Sequence, residues 1–195
     1  MNIRKRKKEH TRIPRSVQDA IPISTVYEDG LFRVGKNQYS RTYKFEDINY
    51  QVASEADKET MFERYCALLN SLDSNAATKI TINNRKLNQA DFEKRIFIKE
   101  QDDNLNEYRR EYNQMLLAKA TAGNSIMQEK YITVTVTEKS ADDARQYFNR
   151  FGASLAIQLN KLGSKCTALG AIERLRIFYD FYRTGEESDF AFDLK

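Results

Sequence analysis

Tyr131-Ile-Thr-Val-Thr-Val-Thr-Glu-Lys-Ser-Ala-Asp-Asp143 decides the fold of this chain. Its first half alternates strictly, which predicts a β-strand with Ile132, Val134 and Val136 on one face and Tyr131, Thr133, Thr135 and Thr137 on the other. Ser140 then offers a helix N-cap oxygen, and Asp143 stands at the matching position of a capping box. Beyond it Ala144, Tyr147, Phe148, Phe151, Leu155, Leu159 and Leu162 recur on one helical stripe. Gly163 supplies a left-handed stop, and Lys165–Ala168 is short enough for an edge strand. A strand whose apolar face must meet a helix stripe is the organising unit.

Working outward, the same two periods alternate along the chain. Val26–Val34 and Tyr39–Ile48 read as strands joined by Gly35-Lys-Asn-Gln38, and Asp29-Gly30 adds a turn signal inside the first run, as a bulge or a tight hairpin of its own. Ser54-Glu-Ala-Asp57 opens a helix whose face carries Met61, Phe62, Tyr65, Cys66, Leu68, Leu69 and Leu72. Thr78–Ile82 alternates as a strand. Arg95-Ile-Phe-Ile98 fits a strand or the edge of a helix. Asp102–Ala122 reads as a helix with Leu105, Tyr108, Tyr112, Met115 and Leu116 along one side. Ala171–Tyr182 is another, with Ile172, Leu175, Phe178 and Tyr182 inward. The order predicts an α+β fold, a mainly antiparallel sheet with helices packed on one face, and ferredoxin-like halves as one way to build it. Residues 1–25 form an extended arm, 26–185 the α+β domain, and 186–195 a tail.

Composition narrows the function. A 41% hydrophobic chain with 11% aromatic residues is too apolar for global disorder. No apolar run reaches membrane-spanning length, and no apolar segment follows the basic N-terminus to make a secretory signal. Cys66 and Cys166 read as two buried thiols, with a disulfide open only if the fold brings them together. The single histidine, His10, sits in the arm without metal-ligating neighbours. The seven glycines never form a phosphate-cradling G-x-x-x-x-G-K-[ST] loop; over Gly163–Gly170, Ala171 stands where the lysine belongs. Asp102-Asp103 and Asp142-Asp143 read as partners of helix dipoles rather than as acid–base pairs. No catalytic residues, cofactor ligands or metal ligands emerge.

One functional surface does emerge. Arg4, Lys5, Arg6, Lys7 and Lys8 form a dense cationic block suited to anionic lipid headgroups or nucleic-acid phosphates. The net charge of +4 resides mostly in this arm. That makes the body a weak polyanion binder, and the glycine–aromatic signature of RNA-recognition sheets is absent. A stand-alone nucleic-acid-binding module working through the arm is the alternative function.

Thr11-Arg-Ile-Pro-Arg-Ser-Val-Gln-Asp-Ala-Ile-Pro22, Tyr39-Ser-Arg-Thr-Tyr-Lys-Phe-Glu-Asp-Ile-Asn-Tyr50 and Phe62-Glu-Arg-Tyr-Cys-Ala-Leu-Leu-Asn-Ser-Leu-Asp73 succeed one another in an order that carries further meaning. With Lys79-Ile-Thr-Ile82, Lys130-Tyr-Ile-Thr-Val134 and the Leu169, Glu173, Tyr182 spacing, the chain resembles the N-terminal region of VirB4-like (TraE- or TrsE-like) conjugation ATPases of Gram-positive mobile elements. The succession carries the resemblance; no single motif is diagnostic. It implies a cytoplasmic ATPase, peripheral to the inner face of the cell membrane, that powers type IV secretion and DNA transfer. In that family ATP binds a RecA-like C-terminal motor, while the N-terminal half contacts inner-membrane channel components and supports self-association. The present chain lacks Walker motifs, so the resemblance implies a non-catalytic docking domain that holds no cofactor.

Overall fold

The structure is a computed structural model and describes residues 20–86, 93–94, 96–122, 126–186 and 189–193. It is an α+β fold with a six-stranded antiparallel sheet. In chain order the elements are β1 (Thr25–Val26), β2 (Phe32–Gly35), β3 (Gln38–Phe45), α1 (Glu55–Asn70), β4 (Ala77–Lys86), α2 (Asn106–Ala122), β5 (Ile126–Thr137), α3 (Ala141–Lys161), β6 (Cys166–Ala168) and α4 (Ala171–Tyr182). The spatial order is β1-β2-β3-β5-β4.

The central pair is β3 with β5, in register from Gln38 opposite Thr137 to Phe45 opposite Lys130. Asp29-Gly30 resolves as a tight hairpin: β1 pairs β2, Gly30 takes φ 81°, and the Asp29 carboxylate accepts the Leu31 N–H at 3.2 Å. Lys36-Asn37 makes the second turn, with Asn37 at φ 60°, a left-handed value that asparagine tolerates better than most residues. β2 and β6 share one edge of β3. β2 pairs its first half, while Ala168 and Cys166 of β6 lie opposite Tyr43 and Phe45.

The organising strand behaves as its alternation requires. Ile132, Val134 and Val136 are buried against α3, whose Ala144, Phe148, Leu155 and Leu159 form the other half of the core. Tyr39 and Tyr43 of β3 complete it, and the Tyr43 hydroxyl donates to the Phe148 carbonyl at 3.2 Å. Burial, the leading cause, raises the Tyr43 phenol well above its ordinary pKa. Gly152 permits this contact, since a Cβ there would come within 3.0 Å of the Tyr43 ring. Ser140 caps α3 by accepting the Asp143 N–H at 3.1 Å, and Gly163 ends it at φ 83°.

The helices divide between the two faces of the sheet. α1 and α3 cover the face expected, but α4 lies on the opposite one, over Ser40, Thr42 and Thr133. Periodicity gives a helix an inward stripe without saying which side of a sheet receives it. The inward anchor of α4 is itself unexpected. Arg174 is buried, donates to the carbonyls of Gly30 and Ser40 at 2.7 Å each and to the Ser40 hydroxyl at 3.0 Å, and lies 3.8 Å from the Phe32 ring centre. Ile172 and Tyr182, expected inward, are 38% and 58% exposed.

A second departure concerns the segment between α1 and β5. Among the described residues 69–128, not one is buried. β4 pairs β5 along ten residues to Lys86 opposite Ile126. Among the described residues, no other helix or strand packs substantially on α2. The preceding segment clasps α2 instead. The Asn113 side chain exchanges two hydrogen bonds with the Ile98 backbone at 2.9 and 3.0 Å, and Arg109 holds the Asp103 carboxylate. Glu93, Lys94 and Ile96 are helical and the Phe97 N–H donates to the Glu93 carbonyl at 3.1 Å, so the described part of this stretch is the edge of a helix rather than a strand, with Ile98 just beyond it tied to Asn113; Arg95 lies outside the described residues.

Candidate docking surfaces

Two apolar surfaces stand out because the fold leaves them uncovered. The first lies under α1. Ser54 starts this helix by accepting the Asp57 N–H at 3.2 Å, and Arg64 donates to the Lys161 carbonyl at 2.6 Å, tying α1 to the end of α3. Only Leu68 of α1 is buried. Phe62, Tyr65 and Leu69 are 65%, 45% and 39% exposed, so most of the face predicted to enter the core lines a groove. Ile80 and Ile132 of the sheet line it, with Leu159 and Leu162, and its volume is about 390 Å³. That is the size at which concave sites take up side chains or small molecules. Within its lining, the Thr78 hydroxyl is buried without a hydrogen-bond partner. The rim is polar at one end, where Glu46 and Asp47 are exposed and Asp47 pairs with Lys130.

The second surface is convex. Leu105, Tyr108, Tyr112 and Met115 lie on one side of α2, as expected, but point to solvent at 53%, 67%, 46% and 44% exposure. Their three-four-three spacing makes a ridge about 15 Å long at the helical rise. Lys119 continues the line one turn further and is exposed. Met115 and Tyr112 belong to a helix with no fully buried residue among those described, whereas apolar ridges on monomers normally face inward.

The opposite face of the sheet is polar. Glu129 is buried between two partners, Lys44 Nζ at 2.6 Å and the Tyr131 hydroxyl at 2.8 Å. Asp180, Glu173 and Arg176 share the same 650 Å³ cleft with Phe190 and Phe192. Burial, with Arg41 adding to it, lowers the Arg174 guanidinium to about 9. A neighbouring groove of about 460 Å³ joins Lys79, Thr81 and Asn83 to Phe181 and Tyr182 of α4. Among the described residues, no group of three or more histidine, cysteine, aspartate or glutamate side chains is placed to hold a metal ion.

The sequence-predicted residues fall in separate places. Arg4, Lys5, Arg6, Lys7 and Lys8 lie outside the described residues, as does His10. Cys66 and Cys166 are both free and half-buried, and burial raises the Cys166 thiol to about 11. Asp142 pairs with Arg145, and Asp143 joins the Ser140 cap. The Arg109 guanidinium and the Leu105 N–H hold the Asp103 carboxyl at about 2. The Gly163–Gly170 stretch is tied into the fold at its end. Its Leu169 N–H donates to Thr42 and its Gly170 N–H to the Glu173 carboxylate at 2.8 Å, so these amides are already committed within the fold. Sequence reasoning missed Arg174, Lys44 and Glu129. Glu129 lies ahead of the alternating run that starts at Tyr131, and nothing local marked Lys44 as its partner or Arg174 as buried.

No helix among the described residues is long and apolar enough to cross a membrane. No protein-family model matches the chain, and no curated protein matches it.

Proposed function

We propose that this chain is a non-catalytic docking and assembly domain, the N-terminal part of a VirB4-like conjugation ATPase that contacts inner-membrane channel components during DNA transfer. The observation that carries the docking part is the pairing of a tightly packed body with a groove and a ridge left apolar and uncovered. The ordered succession of segments that resembles the VirB4-like N-terminal region carries the family part. The strand path β3-α1-β4-β5-α3-β6, laid out as β4-β5-β3-β6, supports reading the body as interlocked ferredoxin-like halves, with α2 inserted between β4 and β5.

The cationic block Arg4–Lys8 supplies attachment to an anionic membrane surface, at about 1 kcal/mol per residue near the headgroups. Liposome flotation tests this. The unaltered chain is expected to float with anionic vesicles, and a variant with all five residues changed to glutamine is expected to stay behind; equal flotation would refute the role. ATP hydrolysis by the purified chain would overturn the non-catalytic reading. The alternative, nucleic-acid binding through the arm, gains some support from the groove that places Lys79 and Asn83 beside Phe181 and Tyr182. A salt titration of single-stranded DNA binding separates the two, since phosphate contacts weaken steeply with ionic strength.

A further inference from the structure

We infer that the ridge of α2 seats in the groove under α1 of a second copy, so that copies join head to tail. This rests on the assembly reading above and assigns its surfaces. Each feature supplies what the other lacks. The groove is concave, largely apolar and lined by Ile80 and Ile132. The ridge is convex and presents Tyr108 and Tyr112 at the spacing by which a helix enters a groove.

Charge fixes the occupant and its direction. The charged residues lining the groove are Glu46, Asp47 and Lys130, and Lys130 already pairs with Asp47, so the exposed Glu46 carboxylate is the charge offered to an occupant. The ridge is apolar except at its C-terminal end, where exposed Lys119 follows Met115. Laying the ridge into the groove with Lys119 over Glu46 places opposite charges together and sets the tyrosines against Ile80 and Ile132. Ridge-on-ridge pairing would leave the groove empty. An anionic membrane would meet a segment of nearly balanced charge: within α2, Arg109, Arg110 and Lys119 stand against Glu107 and Glu111. Because the two surfaces differ, the contact is heterologous, and repetition gives a ring where the rotation closes. The ridge is short, so the contact falls at the small end of specific interfaces, with affinity on the order of 10–100 µM.

Sedimentation equilibrium of the full chain over ~5–300 µM tests the assignment around that affinity. The unaltered chain is expected to associate. Tyr112→Glu, which spoils the ridge, and Phe62→Glu, which spoils the groove, are each expected to weaken association at least about tenfold. Both positions are solvent-exposed, and circular dichroism checks that each variant folds. Mixing the two variants is the decisive arm. The intact groove of one takes the intact ridge of the other, and assembly stops at a 1:1 dimer. A chain that stays monomeric throughout overturns the inference. So does association that survives Phe62→Glu, or a mixture that fails to recover the dimer. Vesicle flotation is read separately: its failure would count against membrane attachment, whereas a failed mixture would count against this contact alone.

Discussion

Helices α2 and α3 flank the same strand and differ in almost every energetic respect. Both are amphipathic by sequence. α3 buries Ala144, Phe148, Leu155 and Leu159 in the core, while α2, only four residues shorter, shows no buried residue among those described. An isolated helix of this length is marginal in water, because nucleation costs more than a few turns return. α3 is therefore held by tertiary packing, and α2 by a clasp of side-chain hydrogen bonds to Ile98, Gln101 and Asp103. The contrast teaches that periodicity identifies a face, and that only the surrounding topology decides whether the face is used for folding or kept for binding.

Substitutions can break or sharpen this contrast. Phe148→Ala empties the best-packed site and is expected to cost about 3–5 kcal/mol of unfolding free energy, measured by urea denaturation. A loss below ~1 kcal/mol, the range of minor substitutions, would mean that α3 is not the structural keel. Arg174→Met removes three buried hydrogen bonds while keeping an apolar stem, and is expected to cost about 2–3 kcal/mol. Little or no loss would show that desolvating the guanidinium cancels its contacts. At the other end of the scale, Met115→Ser in α2 is expected to leave stability within about 0.5 kcal/mol in dilute solution, where the ridge is unoccupied. A loss comparable to that of Phe148→Ala would end the distinction between the two helices.

The alkaline limb sharpens the contrast from the body's side. The Cys166 thiol is raised from 9.0 to about 11 by burial, and Tyr147 from 10.0 to about 12 by burial and by its hydrogen bond to Asp73. The folded state holds both protons more tightly than the unfolded one. Their contribution is thus complete below pH 9.0 and drains away as pH climbs through about 11 and 12. Melting temperatures should fall across that window, and Cys166→Ala should shallow its lower part. An unchanged slope would place the titration elsewhere.

Much of this fold is legible locally. The alternation of 131–137, the Ser140 and Ser54 caps, the Gly163 stop and the extent of α4 all follow from short-range rules and appear where those rules put them. What is not legible is anything settled by distant parts of the chain. Arg174 reads as surface because arginine usually is; its burial depends on carbonyls of Gly30 and Ser40 that the topology brings to it. The faces of α1 and α2 read as core because their apolar residues repeat correctly, yet α1 leaves Ile80 of the sheet uncovered, and among the described residues no helix or strand packs substantially on α2. The basic arm is legible only as charge.

One arrangement bears on how the molecule is made. The edge of β3 is completed partly by β2, its immediate neighbour in the chain, and partly by β6, which follows α3. A nascent polypeptide emerging from the ribosome can form the first hairpins early, but the bonding groups of Tyr43 to Phe45 on that edge stay bare until Cys166–Ala168 has been synthesised. Translation pauses before that point would prolong an open, sticky intermediate. Codon choice and chaperone capture along the α3 stretch therefore bear directly on the yield of native molecules.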